Sequence, residues 1–242
     1  MIFKDIRHHL SILRSTPLHP QWLVFKQDYA NKKMITPWIQ GKLLDIGCGN
    51  KPLLAFLGPK IEYLGMDYPD TVAKGYLGQA DVFGDGQKLP FKEASFNTIT
   101  LLDVMEHLPR PEDTVKEMLR VARPGGIMII QTPFLYPLHD LPHDYQRWTA
   151  SGLNTIGERH AIEQVALQPH GRPLETAAAL TNMALAKGIL GCFENRHAGL
   201  LLLPLAVVAI PFINVCGWLL ARLLPDDNFM PLGYTVIFRK RN

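Results

Sequence analysis

The sequence predicts an α/β fold, a doubly wound and mostly parallel sheet carrying one apolar helical insertion. Three observations lead there. Short apolar runs alternate with helical spacings along residues 41–168. Glycine and proline clusters punctuate the joints between them. One stretch near the C-terminus, Leu200–Leu224, is far more apolar than the rest. The chain has 242 residues, 47% of them hydrophobic and 19% charged, which suits one α/β domain with an insertion and excludes general disorder. Composition also excludes fibrous, collagen-like and coiled-coil classes.

The elements follow in order. Residues 1–40 read as a helical cap, with Trp22, Leu23, Phe25, Tyr29 and Met34 set among Lys and Gln, and Pro37 closing the stretch. The opening MIFKDIRHHLSIL has no continuous apolar core, so it is not a secretory signal. Strand readings fall on Lys42–Ile46, Ile61–Met66 and Thr98–Leu102. Glu112–Val121 has helical spacing, and Pro124, Gly125 and Gly126 are expected to stop it before the buried strand Ile127–Ile130. Ile162–Leu167 and Tyr234–Phe238 are also strand-like. The expected division is a cap over 1–40, a core over 41–168, a hydrophobic helical insertion over 169–232 and a last core strand over 233–242.

Charge and cysteine content narrow the function. A net charge of +3, from 25 basic and 22 acidic residues, with no basic stripe, gives no support for a nucleic-acid partner. Cys48, Cys192 and Cys216 are odd in number and widely spaced, which speaks for a reducing compartment rather than a disulfide framework or a zinc cluster.

The most informative segment is Leu43–Pro52, LLDIGCGNKP. A strand ending in Gly47-Cys48-Gly49 lets a backbone approach a ligand at the head of the next element. Pro52 stands where a dinucleotide fingerprint would have its third glycine. Asp45, two residues before Gly47, would repel a pyrophosphate and attract a cationic ligand. Asp67 ends the second strand 18 residues after Gly49, where an acid in Rossmann-type folds accepts ribose hydroxyls, although a turn or N-cap role is also open.

LLDIGCGNKP, GMDYPD, DVFGDGQKLPF and SFNTITLLDVMEHLPRPEDTVKEMLRVARPGGIMIIQTP together resemble the successive motifs of class I S-adenosylmethionine-dependent methyltransferases, type 11 branch. The resemblance is strong over about residues 41–135 and weaker to 168 and at 233–240. It implies a Rossmann-like, seven-stranded sheet with an antiparallel last strand, and S-adenosyl-L-methionine as cofactor. By position it places Asp45, Gly47, Cys48 and Gly49 at the methionine end, Asp67 on the ribose and Tyr68 beside the adenine. It places Asp85 and Gly86 at the adenine amino group, with Leu102 and Asp103 lining the same cleft. Cys48 itself reads as a space-filler rather than a nucleophile. Asn97 departs from the family's usual Asp, which predicts altered local hydrogen bonding without loss of cofactor binding.

Methyl transfer asks the protein to position an acceptor and manage its proton. The segment after Ile127–Ile130 is rich in suitable groups. His139 and His143 are equal candidates for general base, with Asp140 or Asp144 as the orienting carboxylate and Tyr145 and Arg147 close behind. The same residues could instead tie down a lid. A metal on His139, Asp140, His143 and Asp144 is not expected, because the intervening prolines indicate a loop rather than one helical face. Glu106 and His107, on the turn after the third strand reading, either face the cleft or cap that turn.

Leu200–Leu224 would run about 38 Å as a helix, with Arg222 its only charge and Pro204 and Pro211 interrupting it. A last strand that returns to the sheet forbids a single crossing. Leu174–Leu190 supplies a second arm for a helical hairpin, but Glu175 and Lys187 make a double crossing poor. An element embedded in one leaflet fits better, with a dimer surface or a cover over an apolar pocket as alternatives.

The function expected is therefore methyl transfer to a hydrophobic or lipid-linked acceptor at the cytoplasmic face of a membrane. The alternatives are a soluble small-molecule or sugar O-methyltransferase with an apolar homodimer interface, and a non-catalytic binding module.

Overall fold

The computed structural model describes residues 12–69 and 80–242. The first part of the predicted cap and Asp70 of the GMDYPD motif lie outside the described residues. Contacts divide the described residues into two units, one formed by the sheet and its flanking helices (31–69, 80–134, 138–169 and 233–242), the other by 12–30, 135–137 and 170–232.

The sheet unit holds seven strands in the order β3-β2-β1-β4-β5-β7-β6. They are β1 (Lys42–Ile46), β2 (Glu62–Asp67), β3 (Val82–Phe83), β4 (Phe96–Leu102), β5 (Ala122–Pro133), β6 (Glu163–His170) and β7 (Gly233–Arg239). β1, β2, β3, β4 and β5 pair in parallel, and β7 runs antiparallel to β5, with Ile129 opposite Ile237. Alternation along each strand sends side chains to opposite faces. Leu44, Ile46, Ile99, Leu101, Met128, Ile130, Val236 and Phe238 form one buried layer. It is covered by Val115, Met118 and Val121 of helix α2 (Pro111–Val121) and by Leu153 and Ile156 of α3 (Ala150–Arg159). Leu43, Ile127, Ile129 and Ile237 face the other way, against Ile35, Ile39 and Leu53. Ile35 closes α1 (Trp22–Ile35), which Pro37 turns into a 3-10 segment as its position predicted.

One local detail differs from the sequence expectation. β5 starts at Ala122, so Pro124–Gly126 belongs to an irregular strand, Gly125 taking φ +70 where the pairing with β4 shifts register. At Asn97 the side-chain Oδ1 accepts the Lys42 N–H at 3.0 Å and an Arg123 N–H at 3.2 Å.

The second unit centres on two long helices, α4 (Pro173–Glu194) and α5 (Leu203–Leu223), joined through a 3-10 segment. Pro204 does not interrupt α5, because it lies in the first turn, where no backbone N–H is required. Pro211 lies inside the helix. The helices approach closely where Gly217 meets Ala178, since a Cβ on Gly217 would sit 2.5 Å from the Ala178 Cβ. Asn182 donates to the Ile210 carbonyl at 3.1 Å, and Asn214 donates to the Pro17 and His19 carbonyls at 2.7 and 3.0 Å. Leu23, Ala178, Ala179 and Met183 form this unit's buried cluster.

Candidate active site

A cavity of about 480 Å³ opens at the carboxyl ends of β1, β2 and β4, within the size range of small-molecule sites, about 300–1,000 Å³. Of the residues singled out in the sequence, Gly47, Gly49, Asp67, Tyr68, Asp85, Gly86, Asp103, His107, Asp140, His143 and Tyr145 line it.

The floor is set by the turn after β1. Gly47 has φ +74, and a Cβ there would lie 2.2 Å from Val104 Cγ2. Gly49 has φ +49 and nothing within 4 Å of where its Cβ would be, so its backbone faces free space. Asp67 binds this turn to β2: Oδ2 accepts the Gly49 N–H at 3.0 Å and Oδ1 accepts the Tyr68 N–H at 2.8 Å. Each oxygen keeps a further lone pair toward the cavity. Asp85 holds the opposite loop by accepting the Gln87 N–H at 2.8 Å, and Gln131 donates to Asp103 Oδ2 at 2.7 Å.

Three of the expected contact residues, Asp45, Cys48 and Leu102, are not among the residues that line the cavity. Asp45 is not on the cavity wall; it is buried on the sheet's other face, where Thr100 Oγ1 and the Tyr63 hydroxyl each donate to it at 2.7 Å. Burial pushes its carboxyl above the usual range, and the two hydroxyl donors oppose that shift. Cys48 is buried with its Sγ near Gly65, and burial, then the Asp45 charge, pushes its thiol up to about 12. It fills space and is not among the residues that line the cavity. Leu102 packs with Ile127 and Ile129 on the face away from the cavity, because the alternation that ends β4 turns its side chain there.

The 138–147 segment divides the catalytic candidates. His143 and Asp140 line the cavity, and His143 Nδ1 lies 3.1 Å from the Tyr145 hydroxyl, so its partner is a phenol rather than a carboxylate. His139 and Asp144 are not among the lining residues. Asp144 is clasped by both terminal nitrogens of Arg147 and accepts the His139 N–H at 3.0 Å. The Arg147 guanidinium, above all, holds the Asp144 carboxyl well below the usual carboxylate range. The Asp144–Arg147 pairing thus stands beside, not instead of, the cavity-facing His143.

Sequence reasoning did not assign Ile46, Met66, Gly84, Gln87, Val104, Leu108 or Pro109 to the site, and they complete the wall. Ile46 and Met66 carried a signal, since each ends a predicted strand. Tyr63 and Thr100, which hold Asp45, were also missed; strand alternation places both on its face of the sheet.

Residues 44–130 match the family model of a methyltransferase domain. The chain is 32% identical over 160 residues to an uncharacterized methyltransferase of Mycolicibacterium paratuberculosis, a match covering 61% of this chain and 58% of that one. It is 24% identical over 203 residues to a demethylmenaquinone methyltransferase of Geobacillus stearothermophilus, covering 77% of this chain and 86% of the relative. A solved SAM-dependent methyltransferase from Archaeoglobus fulgidus shares the fold with a TM-score of 0.54 at 19% identity, over 90% of this chain and 94% of its own.

Proposed function

We propose that the chain, whose residues 44–130 match a methyltransferase domain, is an S-adenosylmethionine-dependent methyltransferase that transfers a methyl group to a hydrophobic or lipid-linked acceptor at a membrane surface. The cofactor, when bound, supplies the electrophilic methyl group and the leaving sulfur. The residues present suit it. The bare backbone at Gly49 admits close approach, Asp67 offers acceptor lone pairs to ribose hydroxyls, and Tyr68, Asp85 and Gly86 form the wall for the adenine. His143 is the cavity-lining group suited to take the acceptor's proton, with the Tyr145 hydroxyl fixing its ring.

The observation that carries the acceptor class is the apolar surface of the helical hairpin. Leu201, Leu205, Val207, Val208 and Phe212 are each at least 60% exposed, unusual for consecutive large apolar side chains in contact with water. Both helices are long and apolar enough to cross a membrane by length and composition, α5 far more so than α4. Glu175 and Lys187 on α4 favour embedding in one leaflet over a double crossing. A relative with a quinone acceptor in its name is compatible with an apolar substrate.

The test has two arms. Labelled methyl from S-adenosylmethionine, transferred into host extract, partitions into the organic phase if the acceptor is lipid-like; label confined to the aqueous phase overturns that acceptor class. The triple substitution Leu205→Glu, Val208→Glu, Phe212→Glu removes three apolar side chains whose burial contributes about 1.5–3 kcal/mol each. It should abolish flotation with phospholipid vesicles while leaving cofactor binding intact. A variant that floats like the parent refutes membrane docking through this face.

A further inference from the structure

Glu106 sits in the 3-10 turn after β4, wholly buried, and neither of its carboxylate oxygens has a hydrogen-bond partner. A buried, unpartnered carboxylate is costly unless a cation meets it. Among the described residues two imidazoles approach it, with the Arg147 guanidinium acting on it at longer range: His107 Nε2 lies 3.8 Å and His139 Nε2 3.7 Å from Glu106 Oε1, both beyond hydrogen-bond reach.

The remaining ring nitrogens explain why these atoms converge. His107 Nδ1 is 2.8 Å from the His143 carbonyl, which only accepts, so the proton sits on Nδ1. His139 Nδ1 faces Asp144 Oδ2 at 3.4 Å, a carboxylate already bound by Arg147, and takes the same tautomer. Both Nε2 lone pairs therefore point toward the Glu106 carboxylate. Imidazoles whose outer nitrogen is held by a carbonyl or a carboxylate are the usual arrangement behind metal-ligating histidines.

We propose that Glu106, His107 and His139 form a binding site for a divalent transition-metal ion, with zinc the best match to two imidazoles and one carboxylate. All three ligand atoms lie within 4.8 Å of one another. Bonds of about 2.0–2.2 Å set tetrahedral ligand atoms about 3.3–3.5 Å apart, so the separations to Glu106 close by a few tenths of an ångström and a pair at the 4.8 Å limit by about 1.4 Å, through rotation of the imidazole rings. A fourth position remains for water. This set differs from the His and Asp residues of the 139–144 loop considered from sequence, because only His139 of that loop points at Glu106.

The ion would have a positioning role. Tyr145 N–H already donates to the Glu106 carbonyl at 2.9 Å, and His107 already holds the His143 carbonyl. A metal joining His139 to the same turn fixes the stretch that presents Asp140, His143 and Tyr145 to the cavity.

The test uses the full chain after chelation and dialysis, titrated with zinc chloride alone in calorimetry. One ion per chain is expected, with Glu106→Gln and His139→Ala each weakening it at least about 100-fold. Cobalt(II) added to the parent protein should give the intense visible bands of a four-coordinate site, a readout that requires no variant to fold. Absence of those bands together with absence of stoichiometric zinc binding overturns the proposal, as does zinc affinity unmoved by either substitution. S-adenosylmethionine binding, measured separately on the same preparations, tests the cofactor site independently of this outcome.

Discussion

Replacing Asp67 by Ala tests the centre of the cofactor reading. In the structure its two carboxylate oxygens each accept one backbone N–H, from Gly49 and Tyr68, at the rim of the cavity. If the free lone pairs hold two ribose hydroxyls, the substitution removes two hydrogen bonds to a charged acceptor, each contributing about 1.5–3 kcal/mol. The sum is about 3–6 kcal/mol, and with tenfold per 1.4 kcal/mol the dissociation constant should rise by at least about 100-fold. Calorimetric titration with S-adenosylmethionine reads this directly. Loss of the Gly49 tie could weaken binding by loosening the turn, so a second ligand separates the two causes. A cofactor analogue lacking the ribose 2′-hydroxyl should bind the parent about tenfold more weakly than the cofactor does, and Asp67→Ala should bind both ligands equally. An Ala variant with parental affinity refutes the ribose role. A variant that still discriminates against the deoxy analogue refutes it as well, and assigns the loss to the turn.

Gly47→Ala should lower the melting temperature and abolish cofactor binding, because φ +74 costs a non-glycine residue about 1–2 kcal/mol and the new Cβ would lie 2.2 Å from Val104 Cγ2. Adding Val104→Ala should recover part of the melting temperature by removing the clash; no recovery would show that the backbone strain dominates. The Asp144–Arg147 pair predicts a pH dependence. A carboxyl held below its unfolded value, about 3.9, stabilises the fold above that pH and ceases to as pH falls through the depressed value. Arg147→Met should therefore reduce thermal stability at pH 7 by more than at pH 3, read by differential scanning calorimetry across that range. An equal deficit at both pH values would show that the guanidinium acts through packing alone.

Much of this protein was legible in one dimension. Lys42–Ile46 was read with its final bounds, and the other core strands within a few residues, because buried parallel strands are continuous apolar runs bounded by turn residues. β3, only two residues long, left no such signal. The cavity wall from Gly47 to Asp103 followed from motif spacing, since each motif ends a strand and all parallel strands deliver their carboxyl ends to one edge. Leu102 defeated that logic because neighbouring residues on a strand face opposite ways, so nearness to the edge does not decide direction. Asp45 was assigned a ligand by its charge, whereas the fold surrounds it with Thr100 and Tyr63 from two neighbouring strands.

The sequence by itself determined the order of elements, the sheet class, the glycine turn and the acid that ends β2, all of which depend on local periodicity and on conformations few residue types adopt. Only the tertiary structure decided which of two equivalent histidines faces the cavity. It did the same for Asp144, drawn to Arg147, and for Glu106, brought against His107 and His139. Those outcomes depend on the direction of side chains across elements far apart in the chain, and linear spacing carries no record of it.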